Sequence, residues 1–220
     1  MNSFLSIQSK EGLAWEEDDP LRFPSCLHLW SEHPLLLPSI GTHFIYLYQG
    51  SASLEWNGIV LPLKEGMFAS VPGQLKIYGG AGIAITRLEF EGCFLLGGPV
   101  EERGRLKYID GCTDSLILPP SKLGDPCLNL LHIPANTHQS RHTHPSHRVG
   151  MIISGRGQCI TPTGDHPLHP GLTFVIPADS AHSFHTSTED LRVIAYHPET
   201  DFGPTDEVHP MVNRTLLETP

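Results

Sequence analysis

The feature that most constrains the fold is an internal repeat. Gly50 and Gly155, Gly66 and Gly171, and Pro72 and Pro177 form three pairs, each separated by 105 residues. The surroundings agree in kind. Phe44–Gln49 and Val149–Ser154 run into the first glycines, Leu63–Phe68 and Leu168–Thr173 enclose the second, and Ser70-Val71 and Val175-Ile176 lead to the prolines. Self-similarity at one offset marks a duplicated structural unit. The 220-residue chain thus divides into one unit near 20–100, a second near 105–200 and a tail over 201–220. The stretch Gly97-Gly98-Pro99-Val100-Glu101-Glu102-Arg103-Gly104 has the composition of a linker between them.

The units read as β structure. Phe44–Tyr48, Ile83–Ile85, Val149–Ile153, Leu172–Ile176 and Leu191–Ala195 are strand-length, rich in β-branched and aromatic residues, and bounded by Gly, Pro or polar clusters. The chain holds 21 Gly and 20 Pro, which favours many turns over long helices. No window longer than about 11 residues carries a clean helical period, and a short C-terminal helix is allowed but not required. The prediction is an all-β protein built as sandwiches or barrels. Residues 1–20, ending in the acidic run Glu16-Glu17-Asp18-Asp19-Pro20, read as a solvated arm.

Charge and composition exclude several functions. With 24 Asp+Glu against 14 Lys+Arg the net charge is -10, which argues against nucleic acid and anionic membranes as partners. No run approaches the ~18 apolar residues of a membrane span. Met1–Lys10 lacks the basic and apolar regions of a secretory signal. The cysteines, Cys26, Cys93, Cys112, Cys127 and Cys159, are odd in number and contain no C-x-x-C, as expected for reduced thiols in a cytoplasmic protein. Cys159, close in sequence to several histidines, is a weaker redox candidate.

The compositional outlier is histidine. Of 14, nine lie between His132 and His185. In extended chain His142 and His144 share a face, and His182, placed after the Pro177 turn, can close the set from an adjacent strand. Three neutral imidazoles suit Fe, Zn, Cu, Ni or Mn and leave coordination positions open. His142, His144 and His182 are therefore the candidate metal ligands. His132, His138, His166, His169 and His185 read as strand, turn or surface residues.

These residues resemble the two motifs of the cupin superfamily: H-x-H, a few residues, Glu, six residues, Gly; then Gly, five residues, P-x-G-x-x-H. His142, His144 and Gly155 supply the first, and Gly171, Pro177 and His182 the second. The likeness is strong over 140–185 and extends weakly to 40–80 through the repeat. It implies two cupin (double-stranded β-helix, jelly-roll-like) barrels in one chain, a bicupin whose C-terminal barrel binds metal. The N-terminal barrel is degenerate: Leu37, Ser39 and Ile77 stand at the positions of the three histidines, and His43 stands opposite Arg148.

Two departures are informative. Asp179 replaces the second motif's Gly, and Arg148 stands where the family has a Glu ligand; a guanidinium stays protonated and cannot ligate a metal. The resemblance then implies a three-histidine centre of the kind found in several iron dioxygenases, with Fe(II) first and Zn, Ni, Mn or Cu as alternatives. Arg148 would grip a substrate carboxylate, and His147 would serve as fourth ligand or general base. The function so implied is a mononuclear non-haem Fe(II) oxygenase acting on a small carboxylate-bearing molecule, in a homodimer. The alternatives are a non-catalytic ligand sensor and a Zn, Ni or Mn isomerase or lyase. The polar stretch Tyr196–Glu207 either caps a barrel mouth or forms a surface tail.

Overall fold

In the computed structural model, residues 3–8, 11–207 and 209–216 are described; Met1, Asn2, Ser9, Lys10, Val208 and residues 217–220 lie outside, so the reading of Met1–Lys10 and of the tail is addressed only in part. The short β-branched and aromatic runs form antiparallel strands. The first half contains β1 (Leu5–Ile7), β2 (Gly12–Glu17), β3 (Ser25–Trp30), β4 (Leu35–Leu37), β5 (Thr42–Gln49), β6 (Ser51–Trp56), β7 (Ile59–Lys64), β8 (Phe68–Pro72), β9 (Leu75–Tyr78), β10 (Ala81–Arg87) and β11 (Leu95–Gly97). The second contains β12 (Leu106–Lys107), β13 (Thr113–Leu118), β14 (Cys127–Ile133), β15 (Arg148–Ser154), β16 (Gly157–Thr161), β17 (Gly164–Leu168), β18 (Thr173–Ile176), β19 (Ser183–His185) and β20 (Leu191–His197). The near-terminal helical element is a 3-10 turn at Pro210–Arg214. No helix among the described residues is long and apolar enough to cross a membrane.

The halves share one topology. One large sheet runs β11-β8-β5-β10-β3-β2 and the other β1-β18-β15-β20-β14-β13-β12. The small sheets run β4-β9-β6-β7 and β17-β16-β19. Each large sheet faces its small sheet as a jelly-roll barrel. The 105-residue offset recurs as matched hydrogen bonds: Gly66 N–H donates to Leu47 O (2.9 Å) and Leu47 N–H to Met67 O (3.0 Å), while Gly171 N–H donates to Ile152 O (2.8 Å) and Ile152 N–H to Leu172 O (2.9 Å). The repeated glycines carry matching left-handed angles, φ 80° and 79° at Gly50 and Gly155, and 81° and 83° at Gly66 and Gly171. That conformation strains any residue with a Cβ, which explains why glycine marks the repeat.

The interiors differ. Leu37, Leu54, Leu63, Leu75 and Ile77 are fully buried and fill the N-terminal barrel, so the positions corresponding to His142 and His182 are core aliphatics. His43 is a satisfied core histidine: its Nδ1 accepts from Thr86 Oγ1 at 2.8 Å and its Nε2 donates to Gly73 O at 2.8 Å. A third cluster joins the halves, with Leu27, Phe44, Tyr46 and Ile83 packed against Leu130, Val149, Ile194 and Tyr196.

The arm is not solvated, contrary to the sequence reading. β1 pairs with β18 (Leu5 opposite Val175) and β2 with β3. Phe4 is 1% exposed and stacks on His166 and Phe174 at centroid separations of 4.7 and 5.1 Å. Burial of this ring, together with edge pairing, offsets the entropy of ordering the arm. The first residues thus fasten the C-terminal barrel.

Candidate metal centre

His142 and His182 face each other in an isolated antiparallel bridge, with N–H···O bonds of 3.0 Å in both directions. Each ring donates Nδ1–H to a carbonyl two residues earlier, His142 to Ser140 O and His182 to Ser180 O, both at 2.8 Å. A carbonyl can only accept, so the proton sits on Nδ1 and the Nε2 lone pair is free to ligate; such an outer bond also fixes ring orientation. His144 lies alongside, its ring centroid 5.0 Å from His142 and 5.2 Å from His182. One nitrogen from each of the three rings falls within 4.8 Å of the others.

Burial favours the neutral form of two of the three rings. It pushes His144 down to about 3, with Arg148, His182 and His142 adding repulsion, and His182 down to about 4 against the raising effect of its Ser180 bond. Metal ligation needs unprotonated imidazole, and His144 and His182 supply it without competition from protons near neutral pH. The donor set therefore fits a divalent transition metal.

The second motif explains the ligand loop. Asp179, in the family's Gly position, holds φ +58°, a left-handed conformation that Asp tolerates better than most residues. Its N–H donates to His144 O at 2.7 Å, tying the two motifs together.

Arg148 opens β15 and lines the same cavity as the histidines. It is 9% exposed, and its Nη1 donates to Ser146 Oγ (2.6 Å), His147 O (3.0 Å) and Ser146 O (3.2 Å). Ser146 Oγ in turn donates to Glu199 Oε1 at 2.6 Å, so a hydroxyl links cation and carboxylate. Arg148 Nε is buried with no partner among the described residues. His147 corrects the sequence reading. Alternation along the strand turns it away from the cavity, against the Trp15 ring at 5.0 Å and Tyr196 at 6.4 Å, and the cavity lining does not include it. It is not grouped with the three histidines and does not line the cavity. Cys159 is also corrected: fully buried, its thiol is pushed up to about 12, opposite to the shift a reactive cysteine needs.

The cavity has a volume of about 610 Å³. Leu131, Phe174, Phe184 and Val193 give it apolar walls, and Glu199 to Phe202 close one side. The segment after β20 therefore caps a barrel mouth; Gly124 N–H bonds Thr200 O (3.1 Å) and Leu123 N–H bonds Pro204 O (2.7 Å), which hold the cap down. Two lining residues were missed in the sequence. His197, at the end of β20, has its ring 6.2 Å from His144, and burial, then Arg148 and His144, hold it well below its ordinary range. Asp114 on β13 is a cavity carboxyl, pushed up to about 7 by burial against a lowering hydrogen bond from Asn129. Its signal in sequence was weak, because one acid in a strand usually marks a solvated face.

Residues 129–197 match the family described as a cupin domain. The C-terminal barrel is a cupin domain. The family match covers that part of the chain alone, and no curated protein sequence matches the chain. Solved structures extend the cupin architecture to both halves. A cupin 2 conserved barrel domain protein from Leptotrichia buccalis is similar at TM-score 0.61 and 13% identity, over 86% of this chain and 91% of that one. Salicylate 1,2-dioxygenase from Pseudaminobacter salicylatoxidans aligns at TM-score 0.61 and 12% identity, over 82% and 75%. A putative glyoxylate-induced protein from Pseudomonas aeruginosa aligns at TM-score 0.60 and 13% identity, over 91% and 85%. At these identities the likeness is one of fold.

Proposed function

We propose that this cupin protein is a mononuclear non-haem Fe(II) oxygenase acting on a small carboxylate-bearing substrate. The observation that carries the reading is the convergence of three histidines and a buried guanidinium on one cavity. The fold shared with a salicylate dioxygenase agrees with it. His142, His144 and His182 would hold the ion, which supplies open coordination positions and redox capacity for oxygenation.

The protein's own residues do the remaining work. Arg148, anchored through Nη1 to Ser146 and His147 O, orients a substrate carboxylate beside the histidines. Glu199, acting through Ser146, balances its charge. The cavity size lies in the usual range for small-molecule sites, and its apolar walls select a compact hydrocarbon body. Glu199–Phe202 cover one side of the cavity and limit its contact with water. Asp114, rather than His147, takes the proton-handling role: burial pushes its carboxyl up to about 7, where it can give or accept a proton at Oδ.

The test is to load the protein with Fe(II) without oxygen and add nitric oxide. A nitrosyl spectrum in the wild type, absent in His144→Ala, together with oxygen uptake on adding a panel of small aromatic and aliphatic carboxylates, is expected. A nitrosyl spectrum without oxygen uptake from any carboxylate would favour a sensor, and the absence of both signals would overturn the metal reading.

A further inference from the structure

A second cavity, of about 410 Å³, lies between the two barrels and apart from the histidine cluster. Tyr46, Tyr48 and Gln49 from β5, Glu65 from the turn after β7, and Ile153 and Arg192 from the second half border it. Its walls are mainly polar, unlike those of the metal cavity.

Three features of this lining stand together. Tyr46 is 4% exposed, and its hydroxyl makes no hydrogen bond among the described residues. The groups that act on that phenol after burial are Arg192, Glu65 and Tyr48, so the hydroxyl faces this cavity. Buried tyrosine hydroxyls ordinarily find a partner. Arg192 is half-buried; its Nε donates to Ser154 Oγ at 2.7 Å and its Nη1 reaches Glu101 O at 3.4 Å. Glu65, exposed at the rim, accepts from Gly50 N–H at 3.2 Å. Neither forms a salt bridge, with the other or with any further charge among the described residues. Opposite charges thus line one polar cavity without neutralising each other.

We infer that this inter-barrel cavity is a binding site for a small zwitterion of the free amino-acid class. The carboxylate lies at the buried end, on the Arg192 guanidinium and the Tyr46 hydroxyl; the ammonium lies at the rim, on Glu65. A simple anion would meet Glu65 unfavourably, and a simple amine would meet Arg192. A molecule carrying both charges satisfies both walls. Tyr46 and Glu65 belong to the first half and Arg192 to the second, so occupancy joins the two barrels.

Isothermal titration of the full-length protein with glycine and γ-aminobutyrate, beside acetate and methylamine, tests this. Expected is saturable binding of at least one zwitterion and no comparable binding of acetate or methylamine. Tyr46→Phe, which removes only the hydroxyl, and Glu65→Gln should each weaken that binding about tenfold or more, while His144→Ala leaves it unchanged. Equal binding of acetate would make the site a plain anion site and overturn the inference. So would binding that survives Tyr46→Phe and Glu65→Gln but disappears in His144→Ala, which would put the ligand at the histidine cluster. Absence of binding by every probe also overturns it.

Discussion

Replacing Asp114 by asparagine isolates the electrostatics of the metal cavity. Asp114 sits among apolar walls with its carboxyl pushed from 3.8 to about 7, burial being the main cause. The folded state therefore holds a proton that the unfolded chain has released between these values. The stabilisation from that proton is fully present below pH 3.8 and is lost as pH rises through 7. At pH 5, two units under the folded value, it amounts to about 2.7 kcal/mol at 1.36 kcal/mol per unit. Asp114 is only partly buried, and solvent screening brings this to about 2 kcal/mol. At pH 9 almost none remains. Asparagine keeps the shape and does not titrate. In urea unfolding of metal-free protein followed by far-UV circular dichroism, wild type should gain about 2 kcal/mol on Asp114→Asn between pH 9 and pH 5. A difference that stays flat with pH, or grows in the other direction, would refute the assignment of Asp114 as a neutral carboxyl.

Further outcomes follow from other contacts. Arg148→Met removes a cation that repels protons from His144, His182 and His197, so all three should titrate higher in metal-free protein by NMR, while burial keeps them below their ordinary range; carboxylate binding should weaken by about 10-fold or more. Gly155→Ala forces a Cβ onto the Asp190 carbonyl at φ +79° and should cost about 2 kcal/mol or more in chemical denaturation, clearly more than Gly58→Ala, whose φ is +76° but whose surroundings are open. Phe4→Ala unstacks the arm from His166 and Phe174 and should cost about 3 kcal/mol, seen as a lower melting temperature.

The sequence was legible where local chemistry leaves few options. Left-handed turns demand glycine, so Gly50, Gly66, Gly155 and Gly171 preserved the duplication as a repeat that could be counted. The histidines at i and i+2, with a third after a proline turn, were readable because ligand spacing follows backbone geometry. Asp179 was noticed as a departure, and its left-handed conformation shows that the turn was kept. What escaped notice depends on distant pairing. The arm has no pattern that betrays its partner β18. Strand parity favours Arg148 as the inward residue, and His147 could join the ligands only through a bulge at the strand entry; Arg148 lines the cavity and His147 packs on Trp15 instead. Asp114 and His197 look like surface and tail residues until β13, β14 and β20 align beside one another. The inter-barrel cavity draws its lining from both halves and has no local signature.

The central claim is that His142, His144 and His182 hold one metal ion. Elemental analysis by inductively coupled plasma mass spectrometry, on protein purified without a histidine tag and reconstituted with Fe(II), tests it most directly. The expected result is close to one iron per wild-type chain and a large loss in His144→Ala, with the fold of the variant intact by circular dichroism. Wild-type protein that retains no metal after reconstitution, or a His144→Ala variant that retains as much as wild type, would contradict it.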